Sequence, residues 1–226
     1  MTHSNHRRGD RESLQQDWIV FAAPGTELDT DTNKHKRFIE ILVEHKPVNL
    51  VTNAGVEGDS YRLRAVQGWD ASMNSGIHEA STVQAILDFI KPKSGAGVYT
   101  NKESVQRVVN DLVDAELGFS IVISGIFDEV FDICEKAGIE AHTVNISGET
   151  LGKISLLPKP KILEITTMCG HHFVADSLVK HLIERVRRGE IRAEEAAVEM
   201  AKQCTCNFFN VERAKRLINE YIEGEY

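Results

Sequence analysis

The sequence contains no long hydrophobic run. No stretch of about 18 apolar residues occurs in the 226-residue chain, so no membrane span is expected. The opening segment, MTHSNHRRGDRESLQQD, has no apolar core and does not read as a secretory leader. Residues 1–15 offer nothing to bury and are expected to form a flexible tail; His3 and His6 fall in it and are assigned no metal role. Positive charge is not in excess either. Lys and Arg number 26 against 34 Asp and Glu, a formal net charge of -8, which opposes a nucleic-acid partner that needs a broad basic surface. Cysteine is scarce. Four residues in a chain this long do not make a disulfide framework, and without an export signal the expected location is the reducing cytoplasm. There, clustered cysteines serve more often as metal ligands or redox groups than as bridges. No internal repeat or low-complexity tract is found.

What is present is ordinary for a globular protein: 42% hydrophobic and 27% charged residues. Trp18–Ala23 (WIVFAA) reads as a strand ended by Pro24-Gly25. Spacing of Phe38, Ile41, Leu42 and His45 predicts a helix over 33–46, and VNLVT at 48–52 a second strand. This strand–helix–strand order is the usual mark of a parallel sheet. From Asn53 to Gly76 glycines and polar residues suggest a long loop, followed by a helix over 77–90. Further on, the pattern predicts a strand at 98–100, a helix over 102–115 and an apolar strand at 119–124 covered on both faces. A helix over 126–137 closes on Gly138 in a left-handed cap. AHTVNIS, KISLLP and KILEITT read as further strands, the last leading into Met168-Cys169. The remainder reads as three helices, 171–188, 192–203 and one starting near Asn210. The expected fold is therefore α/β: a mixed, mostly parallel sheet flanked by helices, with a C-terminal three-helix unit. The expected division is a tail to residue 15, a sheet domain over 16–167 and a helical Cys/His unit over 168–226.

Three of the four cysteines fall in two short stretches, TTMCGHHFV and QCTCNFFN. A strand-to-helix junction at Cys169 would favour a thiolate through the helix dipole, and Gly170 would let the backbone approach a bound group. His172 and Asp176, four apart, would share a helix face, with Asp176 orienting the imidazole. Cys204 extends the buried stripe of Met200 and Ala201, and Cys206 lies in the turn that follows. If the helical hairpin folds back, Cys169, Cys204 and Cys206 converge with one of His171 or His172. A Cys204–Cys206 disulfide would close a strained small ring. Small buried thiols with no ligand are the plain alternative.

Zinc would take the three thiolates and one histidine as a closed tetrahedron, although C-x-C departs from the usual C-x2-4-C spacing. A [4Fe-4S] cluster on three cysteines would leave one iron for histidine, water or substrate, and the sequence reading prefers this form. The expectation is a cytoplasmic iron–sulfur protein. It would either act on a small molecule at an open iron, with His171, His172 and Asp176 as acid–base or orienting groups, or pass electrons to a redox partner. The alternatives are a zinc-stapled binding or regulatory module and a metal-free enzyme with Cys169 as nucleophile. Cys134 reads as a core thiol, and a homo-oligomer that completes the site is left open. ISGIFDEV lacks G-x-G-x-x-G, and Asp128 and Glu129 would repel a phosphate, so no nucleotide site is assigned there. KPKSGAGVYTNKES reads as a solvated turn.

Overall fold

A computed structural model describes residues 7–23, 31–56, 59–66, 92–145, 150–204, 206 and 208–224. Strand β1 (Trp18–Ala23) is followed by helix α2 (Thr32–Glu44), then β2 (Asn49–Val56), β3 (Asp59–Val66) and β4 (Pro92–Tyr99). Helix α3 (Lys102–Asp114), β5 (Ser120–Ser124) and α4 (Phe127–Lys136) complete the first part. The helices α5 (Pro160–Thr166), α6 (Asp176–Arg187), α7 (Ala193–Lys202) and α8 (Val211–Glu223) form the rest, and a short helix α1 (Arg11–Leu14) precedes β1. Helix starts follow local chemistry. The Asp31, Asn101 and Asn210 side chains each accept a hydrogen bond from a backbone N–H in the first turn of α2, α3 and α8. Gly138, at φ 69°, ends α4 in the left-handed region that a glycine tolerates best. Among the described residues no helix is long and apolar enough to cross a membrane.

The strands form one five-stranded sheet in the order β3-β2-β4-β1-β5. Among the described residues every pairing is antiparallel: β1 with β4 (Trp18 opposite Tyr99) and β5, and β2 with β3 and β4 (Asn49 opposite Val98). The mostly parallel sheet expected from the sequence is thus overturned, although a mixed helix-and-sheet class remains. The reason lies in what stands between two strands. Both β1 and β2 run antiparallel to β4, so they share a direction, as the β1-α2-β2 unit implies. But β4 is inserted between them, and the unit is split.

Other elements also differ from expectation. The loop expected after Asn53 is in part a hairpin, with β2 continuing to Val56 and β3 pairing back on it. PKSGAGVY (Pro92–Tyr99) is strand β4 rather than a turn. Strand β5 lies at the sheet edge and is only half buried, with Val122 packed on one core and Ile121 and Ile123 on the other. Residues 141–145 form no strand, and KISLLP contains a 3-10 turn at Ile154–Leu156 with Ile154, Leu156 and Leu157 exposed. KILEITT is helix α5. Proline at its first position suits a helix start, and Ile162 and Ile165, three apart, are fully buried on one side. The helix expected over 77–90 lies outside the described residues.

Alternation along β1 builds two cores. Trp18, Val20 and Ala22 face a cluster with Phe38, Leu42, Val105, Val108 and Ile133, beneath α2, α3 and α4. Ile19 and Phe21 face the opposite cluster, with Ile162, Ile165, Val179, Leu182, Met200 and Leu217 of the C-terminal helices. All three clustered cysteines belong to this second core. The helical unit therefore begins at Pro160, and its apolar side is continuous with one face of the sheet.

Residues 7–14, read from sequence as tail, are held against this helical unit. Arg8 N donates to Thr167 Oγ1 at 3.0 Å, and Ser13 is buried with its hydroxyl donating to Glu164 at 2.8 Å. Asp17 is ion-paired to Arg213 at 2.6 Å and to Arg7, with both the Asp17 and Arg213 side chains fully buried.

Candidate metal centre

Cys169 follows a helix, not a strand. It lies in the turn after α5, where its N–H reaches Thr166 O at 3.4 Å and its own carbonyl accepts from His172 N at 2.9 Å. The next helix starts only at Asp176, so no helix N-terminus supports the Cys169 thiolate. His172 has φ 56° and is exposed; Asp176 pairs with Lys180 at 2.7 Å on the surface. The structure does not place His172 and Asp176 on one helix face, because the helix begins at Asp176, five residues later than the sequence pattern suggests.

Cys204 caps the buried stripe of α7, its N–H donating to Ala201 O at 2.9 Å, and is fully buried. Cys206 is buried in the turn that follows. Phe208 packs on Phe21 at 5.4 Å between ring centres, and Phe209 O accepts a hydrogen bond from Asn49, so the turn is tied to the sheet. The Cys204 and Cys206 sulfurs are 3.5 Å apart, and Cys169 shares a hydrogen bond with Cys204. All four cysteines are free thiols. Cys134, in α4, is buried beside Ile133, on the opposite side of the sheet from the other three.

The protons are unevenly shared among the three sulfurs. The hydrogen bond with Cys204 holds the Cys169 thiol down to about 5 against the opposing effect of burial; the Phe173 and His171 backbones and the nearby His171 ring also favour its thiolate. The Cys206 thiol is lowered to about 6, again chiefly by Cys204, with the Phe208 backbone and the His171 side chain contributing. Cys204, hydrogen-bonded to both neighbours and buried, is pushed up. The His171 ring stacks on Phe173 at 5.5 Å, 14° from parallel, and is the histidine that reaches the thiols. As the side chains stand, no group of three or more His, Cys, Asp or Glu among the described residues is spaced to hold a metal ion. The sulfurs share protons instead.

A separate cleft of about 680 Å³ is lined by Arg11, Gln15, Asn101, Lys102, Asp128 and Asp132, among others. Both of its cations are paired, Arg11 with Asp128 and Lys102 with Asp132, each at 2.7 Å. Comparison of the chain with known protein families, with curated proteins and with solved structures finds no match, so the reading of the site rests on its own residues.

Proposed function

We propose that the chain is a metal-binding protein in which Cys169, Cys204 and Cys206 take one divalent ion, with His171 as fourth donor. The ion would staple the turn after α5 to the turn between α7 and α8. The observation that carries this reading is the 3.5 Å separation of the Cys204 and Cys206 sulfurs, with Cys169 hydrogen-bonded to the same cluster. Zinc–sulfur bonds near 2.3 Å set tetrahedral ligands about 3.8 Å apart, close to this spacing. Thiolates on an iron–sulfur cube bind different irons and stand farther apart. The spacing of this one pair therefore supports a single zinc ion over a [4Fe-4S] centre. Charge supports a cation as well. Two thiols are biased toward the thiolate inside an apolar core, and buried negative charge needs a partner.

The full burial of Cys169 and Cys204 disfavours Cys169 as a nucleophile, which must meet a substrate. A stapled binding or regulatory module fits the site better than a thiol enzyme. An iron–sulfur centre that serves a small molecule or redox partner is the second reading, favoured by the exposed His171, His172 and Phe173 beside the thiols. Anaerobic purification followed by metal and sulfide analysis separates these outcomes. One zinc per chain, no visible colour, loss of the metal in Cys169→Ser and a lowered Tm on chelation are expected. Iron with acid-labile sulfide and a brown chromophore would replace zinc with the cluster. Protein that holds neither metal under these conditions overturns the proposal.

A further inference from the structure

We propose that Arg7 is a positioning residue for the thiol site, and that residues 7–17 form a strap holding the two halves of the site in register. This inference rests on the metal-binding reading above. The site is split between two turns far apart in sequence, and a single guanidinium joins them. Arg7 Nη2 donates to Met168 O at 3.3 Å and also to Phe208 O. Met168 directly precedes Cys169, and Phe208 is two residues beyond Cys206. The next residue adds a third link, Arg8 N to Thr167 Oγ1 at 3.0 Å.

The strap is itself fastened on both sides of the site. Arg7 is ion-paired with Asp17, the two side chains only 5% and 0% exposed. Asp17 accepts from Asn210 Nδ2 at 3.1 Å and Arg213 Nη1 at 2.6 Å, at the start of the helix that follows Cys206. Arg213 Nε donates to Ser13 Oγ at 3.1 Å, and Ser13 Oγ donates to Glu164 at 2.8 Å, on the helix that precedes Cys169. The elements entering and leaving the site are thus clasped by one buried hydrogen-bonded network that includes residues 7–17. A guanidinium suits this task because its rigid planar fork can serve two carbonyls and a carboxylate together. A ligand set held in place before the ion arrives loses less conformational freedom on binding it. Groups that hold ligands typically contribute roughly 10- to 100-fold to metal affinity.

The test uses the full chain with Arg7→Met, Arg7→Lys and, as a surface control, Arg37→Ala, whose side chain pairs with Glu44 on α2. Zinc affinity is read by competition with a chromophoric chelator, and coordination by the visible spectrum of the cobalt(II)-loaded protein. Arg7→Met should bind zinc roughly 10- to 100-fold more weakly and alter the cobalt spectrum, Arg7→Lys should lie between, and Arg37→Ala should match the parent. Arg7→Met with parental affinity and an unchanged cobalt spectrum overturns the strap. If Arg7→Met does not fold, Arg7→Lys decides: weaker binding supports the proposal and parental binding overturns it. If the parent chain binds neither zinc nor cobalt, the metal reading fails, and a thiol reagent on the metal-free protein tests the strap separately. Faster modification of Cys204 and Cys206 in the folded Arg7 variant supports it; an unchanged rate overturns it.

Discussion

Replacing Asp17 with asparagine removes one negative charge from the centre of the buried network and changes side-chain volume little. Arg213 then keeps only Glu164, 3.4 Å away, as a carboxylate partner, and Arg7 loses its ion pair. Both arginine side chains are at most 5% exposed, so water cannot take over the lost interaction. Removing one partner of a buried ion pair costs about 3–5 kcal/mol, because the other charge stays buried without compensation. In a domain of this size that lowers Tm by about 6–20 °C. The pH dependence carries a sign. Burial alone would raise the Asp17 pKa, but the charges of Arg7 and Arg213 outweigh it and hold the carboxyl below its ordinary value. Its contribution is therefore fully present above the unfolded carboxylate pKa of about 3.9 and is lost as pH falls toward the lower folded value. Urea unfolding of parent and Asp17→Asn at pH 7, then at steps below pH 4, measures the gap directly. A difference under about 1 kcal/mol at pH 7, or one that widens in acid, refutes this account of the network.

Two further substitutions probe the opposite core. An added Cβ at Gly125 would lie 2.4 Å from the Cε3 and Cζ3 atoms of buried Trp18, so Gly125→Ala should destabilise by about 1–3 kcal/mol and shift the tryptophan fluorescence; an unchanged Tm and spectrum would contradict this. The buried Tyr99 hydroxyl donates to Leu42 O at 2.8 Å, so Tyr99→Phe should cost about 1 kcal/mol in urea unfolding, whereas a more stable variant would count against that bond.

Local signals in the sequence are strong where one element is decided by its own residues. The apolar run of β1, the stripes of α2, α3 and α8, the Asn210 cap and the Gly138 stop all match the structure. Where two local tendencies compete, the reading fails. The β-branched residues of KILEITT favour a strand, yet Pro160 and the three-residue spacing of Ile162 and Ile165 already mark a helix start. Strand β3 does carry a period-two pattern: Tyr61, Leu63 and Ala65 alternate with Ser60, Arg62 and Arg64. At the site, the inward direction of Cys204 follows from its place behind Met200 and Ala201, whereas the roles given to His172 and Asp176 depend on a helix start set too early. No periodicity marks Arg7, Asp17 or Arg213 as members of one network, because their contacts join residues about 200 positions apart.

By itself, then, the amino-acid order determined most of the segments, the scarcity of cysteine and the pairing of two thiol-bearing turns with neighbouring histidines, because helix stripes, caps and short motifs depend on residues close along the chain. The tertiary structure alone decided that β4 enters between β1 and β2 and that the described pairings are all antiparallel. It also decided that His171 rather than His172 meets the thiols, and that an N-terminal arginine clasps both cysteine turns. Strand order, ring orientation and buried charge pairing depend on which distant surfaces come to cover one another, and nearest-neighbour chemistry does not encode that.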